Sequence, residues 1–351
     1  MKKLLKHISP LAPDDSGACS VLYELGGITV ICDAGGCAGN VCGFDEPRWF
    51  EKRSALFSAG LRDMDAILGR DDMLVKKLAL VCEQVDARFC AIVGTPVPAV
   101  IATDMKALAR MSEKKTGIPC LSLPTDGTKL YDKGEELAYY RIFEKFAKEK
   151  LPVIPKSIGV IGATPLDTGQ TNAEAIIKSL RADGYQKVVC FGLDSGLDDI
   201  INASQWEEVM VIAPGGVKAA EYLRETFGTK IRYGFVGIPQ EVRREAENLP
   251  AGSRVLVIHQ QLAADAVRQL VPTGCEVMCA SWFMMNETLR AWRDGDTHIG
   301  GEDDFRELAE NGGFDVIFAD NRLRRAAKGF TGQWVDFPHF AVSGRLMRGE
   351  A

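Results

Sequence analysis

The stretch GITVICDAGGCAGNVCGFDEPRW, residues 27–49, decides how the rest of the chain is read. Ile28 to Cys32 is a short apolar run, the pattern of a strand buried on both faces. Asp33, Gly35 and Gly36 break it, and the residues after them read as a glycine loop feeding a helix. Strand, glycine turn and helix in that order form the repeating unit of a parallel α/β sheet. Cys32, Cys37 and Cys42 recur through this stretch at five-residue intervals. Thiolate chemistry in such a fold belongs beyond the carboxyl end of a strand.

The same unit recurs along the chain. Residues 1–26 form a lead-in, with turn chemistry at 13–17, Ser16 as the expected cap of a helix over 18–25, and Cys19 in its first turns. Residues 46–77 read as polar and helical. A buried strand comes next at 89–93, then a loop at 94–98, a helix at 99–110 and a third strand at 118–123. Residues 131–150 read as an amphipathic helix with a charged, solvated end. Pro152 and Pro155 mark a linker. A second unit opens with a strand at 157–163, a helix at 173–184 and a strand at 187–192. It continues with a strand at 209–213, a turn at 214–216 and a helix to Phe227. A third unit has strands at 254–259, 275–280 and 314–320 and helices at 262–270 and 322–328. The expected fold is therefore α/β, with three Rossmann-like parallel-sheet domains at 1–150, 156–245 and 250–345.

A chain of 351 residues is too long for one compact core. Its net charge of −6 argues against nucleic acid or an anionic membrane surface as the main partner. No window approaches the ~18 apolar residues of a membrane span. The basic start lacks the apolar core of a leader and is interrupted by Pro10 and Pro13. A cytoplasmic location is expected, where cysteines stay reduced, so the ten present need a reason other than disulfides. Cys82, Cys90, Cys120, Cys190 and Cys279 lie in apolar surroundings and read as small buried hydrophobes.

The chain has no P-loop pattern, and Gly159 to Gly162 does not complete a dinucleotide fingerprint, so no bound nucleotide is expected. The four histidines form no metal-binding pair, and no CxxC occurs. Spacing alone weighs a cluster ligand or reactive thiol at Cys37 equally against a structural cysteine. Its place at a helix N-terminus predicts a lowered thiol pKa. Cys32, ending a strand, reads as buried and inert. Candidate substrate contacts on the rim beyond the strands are Thr95, Gly215, Gly216 and His259. Gly215-Gly216 suits either an anion or a tight turn, and His259 either a substrate or a hydrogen-bonded core position. Arg322, Arg324, Arg325 and Lys328 read as an exposed helix face or a clamp for carboxylates.

Taken in order, DAGGCAGN, DEPRW, VGTPVPAVIATDMKALA, VIGATPLDTG, VIAPGGVKAAEYLRETFG and RVLVIHQQLAADAV with FDVIFADNRLRRAAKGF span nearly the whole chain. In this order the sequence resembles the superfamily of nitrogenase component 1-type oxidoreductases. That group includes the catalytic component of the dark-operative protochlorophyllide reductase and the methanogen nickel-tetrapyrrole reductive cyclase. The resemblance implies an iron–sulfur cluster of the 4Fe-4S type between two related subunits, with cysteines from three segments of the first domain. The middle segment corresponds to Cys37. The other two fall at Pro13 and Pro96, so those ligands are absent. A cluster would then bridge a homodimer, with Cys37 and either Cys42 or Cys19 from each chain, or a heterodimer with a cysteine-richer paralogue. The resemblance further implies electrons from a separate ATP-dependent P-loop iron–sulfur reductase and reduction of a small-molecule substrate, tetrapyrrole-like among the options. The alternative it leaves open is a non-catalytic scaffold or carrier for metallocofactor or tetrapyrrole assembly.

Overall fold

The computed structural model describes residues 5–69 and 71–347; Met1 to Leu4 of the lead-in and Arg70 of the stretch expected to be helical lie outside it. Three parallel sheets succeed one another along the chain. The first contains β1 (Ile28–Ile31), β2 (Ala55–Ser58), β3 (Cys90–Val93) and β4 (Cys120–Leu123), in the order β2-β1-β3-β4. Each strand is parallel to its neighbour. Before β1 comes α1 (Asp14–Leu22). Between strands lie α2 (Gly36–Asn40), α3 (Asp63–Leu68), α4 (Asp71–Cys82), α5 (Pro96–Val100) and α6 (Met105–Thr116), and after β4 comes α7 (Tyr131–Phe146).

The second sheet has β5 (Ile154–Ile161), β6 (Lys187–Cys190), β7 (Trp206–Val211) and β8 (Lys230–Tyr233), ordered β6-β5-β7-β8. Its helices are α8 (Pro165–Thr168), α9 (Glu174–Ala182), α10 (Leu197–Ile201) and α11 (Val217–Phe227), and α12 (Gln240–Glu247) leads on to the third sheet. That sheet has β9 (Arg254–Ile258), β10 (Glu276–Ser281), β11 (Thr297–His298), β12 (Val316–Ala319) and β13 (Gln333–Asp336), ordered β11-β10-β9-β12-β13, with α13 (Gln261–Arg268) after β9. All its pairings are parallel. Strands buried on both faces explain the near-continuous apolar runs.

Several local expectations are corrected. β2 interrupts the stretch read as helical, and β8 and β13 lie where no element is expected. Residues 99–110 are not one helix: Thr103 and Asp104 separate α5 from α6, and the Asp104 carboxylate caps α6 at Lys106 N and Ala107 N. Ser16 does not cap α1; it sits inside it and donates to Asp45 at 2.6 Å. β5 begins at Ile154, within the proline-flanked stretch read as linker. Residues 322–328 form only a short 3-10 turn, Leu323–Ala326, with its arginines exposed.

The central element is α7. Its charged end is solvated, as the pattern implies, but one face of its first three turns is buried, Asp132 and Glu135 included. It packs on α1 without a side chain between them at two points. A Cβ on Gly17 would stand 1.9 Å from the Tyr131 carbonyl oxygen, and one on Gly134 would stand 1.7 Å from the Asp14 carbonyl oxygen. On its other flank Tyr139 donates to the Phe191 carbonyl at 3.0 Å, which joins the first unit to the second. Gly134→Ala is therefore expected to destabilise the fold by about 3 kcal/mol or more, because backbone on both sides cannot give way. Gly196→Ala, with nothing within 4 Å of the new methyl, is expected to be nearly neutral in the same denaturant melt.

Candidate functional site

Three segments converge at the carboxyl end of β1. Asp33 closes the strand, and its carboxylate accepts from Ala38 N at 2.8 Å and from the Ser58 hydroxyl at 2.5 Å. This holds the glycine loop against the sheet and leaves the Cys37 thiol half-buried beside the Asp15 carboxyl and the Thr95 hydroxyl. Thr95 is fully buried and donates to the Cys32 carbonyl at 2.8 Å. Asp15 lies two residues after Pro13, and Thr95 immediately precedes Pro96. The two segments that lack cysteines thus still meet at Cys37.

The electrostatics overturn one expectation. Cys37 is not an activated thiol: burial, then the Asp15 and Asp33 carboxyls, push it up to about 11. α2 has only five residues, and Asp33 already takes one of its first N–H groups. Asp15 is 2% exposed, and its Oδ1 has no donor other than the neighbouring Cys37 thiol. Burial and the adjacent Asp14 carboxyl raise it to about 7.

The other two cysteines of the expected ligand set differ from each other in burial. Cys19 is fully buried in the core cluster that contains α1, and burial lifts its thiol well above the usual range. Cys42 is half-buried, with its thiol raised by burial and by Glu46. Cys32 is buried, and burial pushes its thiol up to about 12.

Around this point the loops beyond β1, β2 and β3 carry large apolar side chains in the open. Phe44, Ile67 and Val100 are 74%, 74% and 83% exposed, and Leu68 and Met64 are exposed as well. Apolar surface concentrated at one end of a sheet marks a contact with another molecule.

A cavity of about 1160 Å³ lies next to the N-terminus of α7. Asp132, Lys133 and Glu136 of α7 and Lys218 of α11 face it, and Trp282, Phe283 and Trp292 supply apolar walls. Asp132 accepts from Met284 N at 2.5 Å, which fixes the wall of the third unit to the helix. Behind Phe283 runs a buried polar chain. Tyr131 bonds Asp167 Oδ1 at 2.7 Å and His339 Nε2 at 3.1 Å, and Thr164 donates to Glu135 Oε1 at 2.5 Å. The remaining oxygens, Glu135 Oε2 and Asp167 Oδ2, receive no donor from any other group. The two carboxyls face one another, an arrangement that requires a shared proton. Burial accordingly raises Asp167 to about 7 and Glu135 well above the carboxylate range.

The four expected substrate contacts are not gathered in one pocket. Thr95 belongs with Cys37. Gly215 and Gly216 are close-approach positions: Cβ atoms there would meet Glu135 Cβ at 3.0 Å and Ile161 Cγ2 at 2.8 Å, so the tight-turn reading accounts for them. His259 is buried behind the cavity wall, stacked on Phe337 at 4.2 Å and on His339 at 4.0 Å. Its Nδ1 accepts from Gln260 N at 2.9 Å, so Nε2 carries the proton and donates to the Pro338 carbonyl at 3.1 Å. Sequence reasoning missed Asp15 and the Glu135–Asp167 pair; acidic residues inside helices carried no signal of burial.

Three successive parallel sheets with a loop site at the first define a multi-unit α/β protein of the ligand-at-the-strand-end type. Residues 17–243, more than half of the chain, match the sequence model of the family described as nitrogenase component 1 type oxidoreductase, and the chain belongs to that family. Among solved structures it is similar to one titled "Nitrogenase Cp1 at pH 6.5", with 10% identity and a TM-score of 0.71, covering 96% of this chain and 87% of that one. A second, "Nitrogenase Cp1 at pH 5", has 13% identity and a TM-score of 0.71, covering 98% and 86%. At these identities the likeness establishes the fold. No curated protein matches by sequence. Among the described residues no helix is long and apolar enough to cross a membrane.

Two buried groups act on stability with opposite sign over overlapping pH ranges. Burial holds His259 down to about 4 in the fold, against 6.5 for the free side chain. Its contribution is complete above 6.5 and is lost as pH falls towards 4, up to roughly 3 kcal/mol. Asp167, raised from 3.8 to about 7, contributes fully below 3.8, and that contribution is lost as pH rises through 7. Denaturant melts from pH 4 to 8 should show stability rising more steeply with pH between 4 and 7 in Asp167→Asn, and less steeply between 4 and 6.5 in His259→Gln. An unchanged slope between pH 4 and 7 in the first variant would contradict the assignment.

Proposed function

We propose that the chain is the catalytic subunit of a nitrogenase component 1-type oxidoreductase acting as a homodimer. In this reading two Cys37 loops face one another across a two-fold axis and hold an iron–sulfur cluster of the 4Fe-4S type. The observation that carries it is the buried Asp15 carboxyl, whose Oδ1 has no donor other than the neighbouring Cys37 thiol. One thiolate and one carboxylate from each chain give the four protein donors that a four-iron cluster takes. Asp15 thereby takes the place of Cys42 or Cys19 as the second ligand.

The residues present fit such a group. Carboxyls that disfavour a bare thiolate favour a cationic metal centre, which deprotonates a thiol ligand outright. When bound, the cluster supplies one-electron transfer. Phe44, Ile67 and Val100 bury against the second copy and keep water from the site, which helps set its potential. The cavity beside α7 takes the small-molecule substrate. Its indole and phenyl walls suit a flat, partly apolar molecule such as a tetrapyrrole, and Lys133 and Lys218 beside Asp132 and Glu136 offer its edge polar contacts of both signs. The Glu135–Asp167 pair holds a proton one aromatic layer from that cavity. Electrons come from a separate P-loop iron–sulfur reductase, since this sequence has no P-loop with which to use ATP.

Protein reconstituted without oxygen should be brown and dimeric, with about four irons and four sulfides per dimer. Cys37→Ser and Asp15→Ala should each lose most of the iron while keeping the wild-type circular dichroism. Colourless, iron-free protein after reconstitution would reject the reading, and Asp15→Ala with full iron would return the second ligand to a cysteine. Separately, Ile67→Asp combined with Phe44→Asp should yield a monomer by sedimentation, with iron lost alongside.

A further inference from the structure

At the amino end of the first sheet, opposite the Cys37 loop, three thiols gather. Cys90 opens β3 and Cys120 opens β4, and the two are direct partners in the parallel register. Cys82 ends α4, and its Sγ lies 3.7 Å from that of Cys90. Nothing in the sequence pattern hints at this, because a turn, residues 83–89, separates the two cysteines. Those residues fold back through Gln84 N and Val85 N, both bonded to the Val81 carbonyl, and bring the helix end onto the strand. Cys82 is half-buried, whereas Cys90 and Cys120 are buried.

We infer that Cys82 and Cys90 are a modification site: they close to a reversible disulfide when a hydroperoxide reaches Cys82. The Cys82 sulfur attacks the O–O bond of hydrogen peroxide, becomes a sulfenic acid and releases water after proton transfer. The Cys90 thiol then displaces the second water from that sulfur and forms the S–S bond. Two thiols and one peroxide give one disulfide and two waters.

Accessibility assigns the roles. Cys82 is half-buried and Cys90 completely buried, so a peroxide arriving from solvent meets Cys82 first. Cys90 is therefore the resolving thiol, held by β3 within contact of the sulfenic sulfur, the arrangement that stops oxidation at its reversible stage. Burial and the neighbouring Cys82 and Cys120 thiols keep Cys90 protonated until then. The sulfurs must close from 3.7 Å to the ~2.05 Å of the bond. That movement falls to Cys82, at a helix end that runs into exposed Glu83 and Gln84, and not to Cys90 inside the sheet. The bond would fasten α4 to β3, the strand that runs on to Thr95. None of this depends on what Cys37 holds.

The test uses the full-length protein, treated with equimolar hydrogen peroxide, alkylated and weighed intact. The expected product is lighter by two hydrogens, carries two fewer alkyl groups, yields a Cys82–Cys90 linked peptide and reverts with dithiothreitol. Cys82→Ser should abolish the link. Cys90→Ser should leave Cys82 to proceed to sulfinic acid, and Cys120→Ala should change neither. Cys82 and Cys90 both remaining alkylatable after peroxide, in protein whose circular dichroism is unchanged, would overturn the inference. So would a link that persists in Cys82→Ser.

Discussion

The guanidinium of Arg48 is the contact on which the arrangement of the first two units depends. It is completely buried. Nε donates to Glu46 at 2.7 Å, Nη1 to Glu24 at 2.8 Å and to the Gly192 carbonyl at 2.7 Å, and Nη2 to the Ser20 carbonyl and Glu46 Oε2 at 2.6 Å each. All its N–H groups are thus satisfied, the condition under which a buried charge is tolerated. The acceptors come from α1, from the loop after Cys42 and from the second sheet. Removing the cation would leave Glu46 buried and unpaired, a loss on the order of 3–5 kcal/mol for such pairs. The loop that carries Cys37 lies on α1 because Arg48 and the Asp45–Ser16 bond hold it there.

α7 plays the complementary role on the other side of α1. It belongs to the first unit by chain order, yet its inner face is packed by the second unit and by the loop after β10. A helix in that position must present its polar residues to something. Asp132 meets a backbone N–H of the third unit, Glu135 meets Thr164 and Asp167 of the second, and Tyr131 reaches both Asp167 and His339. Burial that would be costly for isolated carboxyls is met by hydrogen bonds and by sharing a proton.

Much of this architecture was legible in the sequence. β1, β3 and β12, β9 after Arg254 and the second half of β5 are near-continuous apolar runs, and the glycine and proline turns after them read correctly as the carboxyl rim. β2, β8 and β13 escaped because they lie at or near sheet edges, where half-exposed sequences such as Lys230–Tyr233 carry charges on alternate positions. The placement of Cys37 was readable, but its chemistry was not. A glycine loop before a helix suggests an activated thiol, whereas the carboxyls of Asp15 and Asp33 reverse the effect, and their approach depends on α1 folding over the loop. The tertiary meeting of Cys82 with Cys90 was likewise invisible, since apolar surroundings describe a buried cysteine equally well with or without a second thiol in contact. His259 stood open between core and substrate, and the stack with Phe337 and His339 favours the core.

The two glycine contacts between α1 and α7 have a consequence for distance. Asp15 stands on one of these helices and Asp132 on the other, and backbone touches backbone where they cross. The separation between the Cys37 loop and the cavity is therefore fixed by hard-sphere contact rather than by side chains that could repack. Whatever is held at the loop and whatever enters the cavity lie a constant span apart. A transfer rate that falls steeply with distance would then be written into Gly17 and Gly134, two residues that touch neither site.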